Sequence, residues 1–100
     1  MDFEVEWAES AFASLIEAVE YIAKDSPSYA ASLGVQAERA AFSLRQFPNR
    51  GRLVREYHDP NVREVPVGSY RLIYRVTSKV SVIAFVHTAR DLAALLDARQ

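Results

Sequence analysis

The hydrophobic repeat of this chain changes period twice, and those two changes constrain its fold more than any other feature. Phe3, Val5 and Trp7 alternate with Asp2, Glu4 and Glu6, the period of two that puts one face of a strand inward. From Phe12 the apolar residues recur at three and four: Phe12, Leu15, Ile16, Val19, Ile22 and Ala23, then Ala30, Leu33, Ala37, Ala40, Ala41 and Leu44. That spacing predicts two helices, each with one apolar stripe. From Val62 onward the chain is strand-like again.

The boundaries follow from local chemistry. Ser10 is an expected N-cap for the first helix. Ser26-Pro27 separates the two helices, because proline suits a first helical turn and serine caps it. Gly34 costs about 1 kcal/mol relative to alanine inside a helix, so a close approach of the two helices is expected there. Gln46-Phe47-Pro48 closes the second helix before a turn at Asn49-Arg50-Gly51. Residues 48–61 read as a polar connector. Strands are expected at 62–67, with Pro66 marking an edge or a bulge, at 70–77, and at 80–87. The short Thr77-Ser78-Lys79 link makes the last two an antiparallel hairpin. Residues 91–98 predict a short final helix through Leu92, Leu95 and Leu96. The expected class is α+β in the order β-α-α-β-β-β: a helix hairpin on a small curved antiparallel sheet, whose second face meets solvent or a partner.

At 100 residues there is room for one domain, 1–100. Half the residues are hydrophobic and a quarter charged, which excludes disorder as the default. The absence of cysteine excludes disulfides and thiolate metal sites and fits a reducing cytoplasm. Four carboxylates and no basic residue in the first nine positions argue against a signal peptide. No apolar run approaches a membrane span. The net charge of −1 conceals an asymmetry. Residues 1–38 hold eight carboxylates against Lys24, a net of −7, whereas 39–90 hold nine arginines and Lys79 against three carboxylates, a net of +7. Either a basic face meets an acidic partner or helix and sheet carry complementary surface charge.

Strict alternation on the central strand groups Tyr70, Leu72, Tyr74 and Val76 on the core side, and Arg71, Ile73, Arg75 and Thr77 on the other. Two guanidiniums about 7 Å apart on an open face suit phosphate or carboxylate partners. Pairing with Glu64 or Asp91 is the structural alternative. Arg63, His87 and Arg90 can join that row. Ile73, Ile83 and Phe85 share its parity and would form an apolar partner surface, unless a register slip moves them into the core. His58 and His87 lack companions at metal-ligand spacing, and no phosphate loop, nucleophile elbow or carboxylate pair is present. No cofactor is expected.

The ordered set of segments resembles the RelE/ParE toxins of type II toxin–antitoxin systems. It is carried by Arg63-Glu64-Val65-Pro66-Val67-Gly68-Ser69-Tyr70-Arg71-Leu72-Ile73-Tyr74-Arg75-Val76, then Val80-Ser81-Val82-Ile83, then Val86-His87-Thr88-Ala89-Arg90-Asp91. Trp7, Tyr21-Ile22-Ala23 before Ser26-Pro27, and Phe47-Pro48 before Gly51-Arg52 agree with it. The resemblance implies neutralisation by a cognate antitoxin, whose segment would cover Arg71, Ile73, Arg75, Ile83 and Phe85 or the groove beside the helix hairpin. It implies operator DNA contact only through that antitoxin. RelE-like members cut mRNA in the ribosome, and Arg63, Arg71, His87 and Arg90 would be the corresponding set here. The tyrosine that usually serves near the C-terminus is replaced by Leu95-Leu96. ParE-like members inhibit DNA gyrase without nuclease chemistry, and the strand Tyr-Arg-Leu-Ile-Tyr-Arg-Val with the ending Val-His-x-x-Arg-Asp is closer to them. The expectation is therefore a ParE-like gyrase poison, with a ribosome-dependent nuclease or an antitoxin-binding remnant as alternatives.

Overall fold

The computed structural model describes residues 2–90 and 92–99, with the backbone alone for 97–99. Strand β1 (Val5–Trp7) leads into helices α1 (Glu9–Ala23) and α2 (Pro27–Ser43). A two-residue strand β2 (Arg52–Leu53) and a 3-10 turn (Arg55–Tyr57) follow. Strands β3 (Val62–Val67), β4 (Tyr70–Val76) and β5 (Val80–His87) then form a meander closed by helix α3 (Leu92–Arg99). The strands lie in the order β1-β5-β4-β3-β2. All pairs are antiparallel except β1 with β5, which run parallel. The α+β class stands, and the sheet is mixed rather than wholly antiparallel.

Several local expectations are realised by identifiable chemistry. The Ser26 hydroxyl accepts the Tyr29 N–H at 3.2 Å with Pro27 in the first turn. This cap turns the chain back on itself between α1 and α2. Pro66 lies beyond the end of β2, whose pairing with β3 stops at Glu64, so its missing N–H costs no ladder bond on that side. Gly68 takes φ +57 in the tight β3–β4 turn, a conformation that glycine adopts without steric penalty. At α1 the cap differs from expectation: the helix begins at Glu9 with Ala8 preceding it and no side-chain cap.

The main core lies between the helix hairpin and one face of the sheet. It contains Leu15, Leu33 and Leu44 from the helical side and Val65, Val67, Leu72, Tyr74, Val80, Val82 and Phe85 from the strands. The inward residues of α2 are the expected ones, Ala30, Leu33, Ala37 and Ala41. Helix α1 is rotated. It buries Ala11, Leu15 and Ala18 and leaves Phe12 and Ile16 exposed at 50% and 43%. Because α1 packs against both α2 and β5, alanines occupy its points of closest approach and the bulkier side chains are displaced to the rim. Gly34 does not mediate helix contact, since a Cβ there would meet nothing within 4 Å.

The second face of the sheet is not open. Val54, Val62, Ile73, Ala84 and Leu92 form a smaller buried cluster, with Tyr57, Ile83, Val86, Leu95 and Leu96 packed around it. Helix α3 and the 3-10 turn thus cover much of the surface expected to face solvent. Leu92, Leu95 and Leu96 hold α3 down by apolar burial, at about 25 cal/mol per Å² removed from water.

Candidate functional site

A β-bulge decides which residues share a face. Tyr70, Arg71, Leu72 and Ile73 of β4 pair with His87, Val86, Phe85 and Ala84, but Tyr74 pairs with Val82, so Ile83 is the inserted residue. A one-residue insertion reverses the side of everything beyond it. Phe85 is therefore 3% exposed in the helix-side core, not on the arginine face. Its ring stacks on Tyr70 with centroids 5.0 Å apart. Ile73 does share the arginine face but is fully buried beneath the second cluster, and Ile83 is half-buried at its edge.

Arg71 lies in an ion-pair network around Glu64, which is 4% exposed. The Arg71 Nε sits 3.1 Å from each Glu64 carboxylate oxygen, and its Nη2 closes on Oε2. Arg52 donates to Oε1 from Nε and Nη2 at 3.1 and 3.0 Å. Glu56 adds a second carboxylate 3.8 Å from Arg71. Burial pushes the Glu64 carboxyl up, but the hydrogen bonds and charges of Arg71 and Arg52 outweigh it and hold the group below its ordinary value of 4.5. Side-chain exposure of Arg71 is 14%, so most of its guanidinium is spent inside the protein. Arg75, on the same face, reaches Asp59 at 3.4 Å.

The remaining expected site residues lie elsewhere. Arg63 faces the helix side, where its Nη1 donates to the Gly51 carbonyl at 2.7 Å. His87 also faces that side, edge-on to Tyr70 at 5.2 Å, with Nδ1 accepting the Ala89 N–H at 3.0 Å. Arg90 is exposed just beyond β5. His58 is exposed and left-handed (φ 51), ending the 3-10 turn. The set Arg63, Arg71, His87 and Arg90 is thus divided between the two faces rather than gathered on one. Burial raises the pKa of both Tyr70 and Tyr74, which makes either phenol a poorer base near neutral pH. Among the described residues no group of three or more His, Asp or Glu is placed to hold a metal ion, and no helix is long and apolar enough to cross a membrane.

Two features had weak sequence signals. The first is the Gly51 turn, where the Gly51 N–H donates to the buried Tyr74 hydroxyl at 3.0 Å. A Cβ at Gly51 would stand 2.6 Å from both that oxygen and the Glu64 carbonyl, so only glycine fits. The second is the set of large apolar side chains exposed on the helix hairpin and its connector: Phe12, Ile16, Tyr21, Tyr29, Val35, Phe42, Phe47 and Leu53. Helical spacing alone assigned Phe12 and Ile16 to the core, and only the rotation of α1 uncovers them.

Comparison with known proteins fits this architecture. The sequence profile of the ParE toxin of type II toxin–antitoxin system, parDE, matches residues 5–92. A solved structure titled "Chromosomal ParDE TA system from P. aeruginosa" superposes with a TM-score of 0.70 at 18% identity, covering 85% of this chain and 95% of that one. No curated protein matches the chain in sequence.

Proposed function

Because the chain belongs to the ParE family of toxins of type II toxin–antitoxin systems, we propose that it arrests growth by poisoning DNA gyrase and is neutralised by a cognate antitoxin. The observation that carries the gyrase branch is the Glu64–Arg71 pair. A ribosome-dependent nuclease needs unspent cations beside the scissile phosphate and a group that moves a proton. Here Arg71 is engaged by a buried carboxylate, and His87 lies across the sheet with Nδ1 occupied. No tyrosine follows Tyr74. That arrangement supports inhibition by docking rather than by bond cleavage.

The antitoxin reading draws on the apolar residues that the fold leaves uncovered. Phe12 and Ile16 sit one turn apart on α1, and Phe12 meets Trp7 edge-on at 6.0 Å. The Phe12 and Ile16 side chains give a partner segment apolar anchors beside the helix hairpin, and both are largely exposed. Of the five residues expected to bind a partner, only the half-exposed Arg75, the mostly buried Arg71 and Ile83 at the cluster edge are within reach of one. Operator DNA would be met through the antitoxin, and action on gyrase places the protein in the bacterial cytoplasm.

The test is pulse labelling of DNA and protein synthesis within minutes of inducing the chain without antitoxin. An early fall in DNA synthesis with induction of the DNA-damage response is the expected result. An early fall in translation with intact DNA synthesis would replace this reading by the ribosomal one.

A further inference from the structure

The charge asymmetry of the sequence becomes a spatial one across the sheet. Of the carboxylates in residues 1–38, all but Glu38 lie before or within β1, or on α1 and the turn that ends it. Strand β1 is one edge of the sheet, and α1 packs on its neighbour β5. The opposite edge is β2, and four arginines surround it. Arg50 precedes β2, Arg52 lies within it, Arg55 stands in the 3-10 turn after it, and Arg63 lies on β3 opposite Leu53. Four strand spacings of about 4.8 Å set the two edges roughly 19 Å apart. That exceeds two Debye lengths of about 8 Å at physiological salt, so the acidic edge exerts little field on whatever meets the basic one.

Two of these guanidiniums are fixed around the Gly51 turn. Arg50 Nη1 donates to the Ser43 hydroxyl at 2.6 Å, and Arg63 Nη1 donates to the Gly51 carbonyl at 2.7 Å. The turn is itself pinned by its N–H on the Tyr74 hydroxyl. Burial pushes that phenol's pKa up, while the Gly51 N–H and the charges of Arg63 and Arg50 pull it down, so both guanidiniums act on one buried oxygen. Neutral acceptors thus position Arg50 and Arg63 while leaving their charge uncompensated and most of their donors unspent. Among the described residues, no carboxylate lies within ion-pair distance of Arg50, Arg55 or Arg63. Glu56, next to Arg55, is directed at Arg71 instead. Arg52 donates to Glu64, yet its side chain is 81% exposed.

We infer that the β2–β3 edge seats the sugar-phosphate backbone of duplex DNA, with Arg50 and Arg63 as fixed phosphate contacts and Arg52 and Arg55 as flanking ones. Guanidiniums spread along one edge match a partner whose charge repeats regularly, and each fork can take phosphate oxygens bidentately. This edge is separate from the Arg71 and Arg75 face, whose cations are spent on Glu64 and Asp59. Phosphate contacts carry no sequence information, so the choice of operator stays with the antitoxin. The DNA in question is the segment held by gyrase, a choice that rests on the gyrase reading above.

The test is fluorescence anisotropy of a labelled 24-base-pair duplex with the full chain at successive salt concentrations. With about 0.9 per phosphate met, log K should fall against log salt with a slope of roughly −3.6, on the order of 100-fold between ~50 and ~200 mM. Arg50→Gln/Arg63→Gln and Arg50→Gln/Arg55→Gln should each reduce the slope to roughly −1.8. The second pair alters only exposed side chains and keeps the wild-type melting temperature, so it decides the matter even if loss of Arg63 loosens the Gly51 turn. In a gyrase reaction that same variant should need on the order of 10-fold more chain to accumulate the same linear plasmid. A gyrase poison whose duplex binding ignores these substitutions overturns the phosphate seat and leaves the gyrase reading intact. Duplex binding with the predicted slopes, from a chain that leaves gyrase untouched, supports the seat and removes the gyrase reading. Tighter binding of single-stranded RNA or of polyglutamate than of the duplex, lost in the same variants, overturns the choice of DNA.

Discussion

Removal of Glu64 tests the claim that Arg71 is a structural cation. Glu64 is 4% exposed, and the Arg71 side chain paired with it is 14% exposed. In Glu64→Leu the guanidinium remains in the protein with only Glu56, 3.8 Å away at the rim. Breaking one side of a buried pair in this way costs about 3 kcal/mol. Arg52 adds little, because its own side chain is 81% exposed and such pairs contribute ~1 kcal/mol or less. In a domain of this size each kcal/mol corresponds to roughly 4–8 °C, so the melting temperature should fall by roughly 12–24 °C. Arg71→Met in the same chain removes the stranded charge and returns stability to within about 1.5 kcal/mol of wild type. Thermal and urea denaturation of wild type, both single variants and the double variant give the coupling energy directly. The reasoning is refuted if the double variant is as unstable as Glu64→Leu alone. If Arg71 serves only the fold, the double variant also still arrests growth. Loss of growth arrest from a folded double variant would instead make Arg71 a functional contact.

The same pair sets an acid limit. The folded-state pKa of Glu64 is depressed below its ordinary 4.5, so its contribution is present above that value and is lost as pH falls through the folded pKa. Wild-type stability should therefore drop more steeply below about pH 4.5 than that of the Glu64→Leu/Arg71→Met variant, as measured by urea titrations at successive pH values. Gly34→Ala, which meets no atom within 4 Å in the middle of α2, should stabilise the fold by about 0.5–1 kcal/mol. Gly51→Ala brings a methyl 2.6 Å from the Glu64 carbonyl and the Tyr74 hydroxyl and should cost about 2 kcal/mol or more; both glycine variants are checked by chemical denaturation.

The order of elements was legible because period and punctuation agree. Alternation marks β1 and β4, three- and four-residue spacing marks the helices, and Ser26-Pro27 supplies a real cap. Strand β2, only two residues long, and the 3-10 turn carry too little pattern to be read. The parallel pairing of β1 with β5 is a tertiary choice that no local signal specifies. The site was less legible for a definite reason. Parity along β4 correctly placed Arg71, Ile73 and Arg75 together, but the extra residue at Ile83 moved Phe85 to the opposite face, and nothing local in Val-Ile-Ala-Phe announces a bulge. Pairing of Arg71 with Glu64 was open as an alternative from the sequence. Its burial was not, because it depends on α3 and the 3-10 turn covering that face. Rotation of α1 escaped the pattern for a related reason: periodicity weights large apolar residues, whereas close packing selected Ala11 and Ala18.

Gyrase poisoning is decided by incubating the purified chain with gyrase, relaxed plasmid and ATP, then treating with detergent and protease before electrophoresis. Loss of supercoiling with accumulation of linear plasmid, both prevented by prior addition of the antitoxin, is the predicted result. Unimpaired supercoiling at a concentration of the same preparation that cleaves mRNA on programmed ribosomes would contradict it and would return Arg63, Arg71, His87 and Arg90 to consideration as a nuclease site.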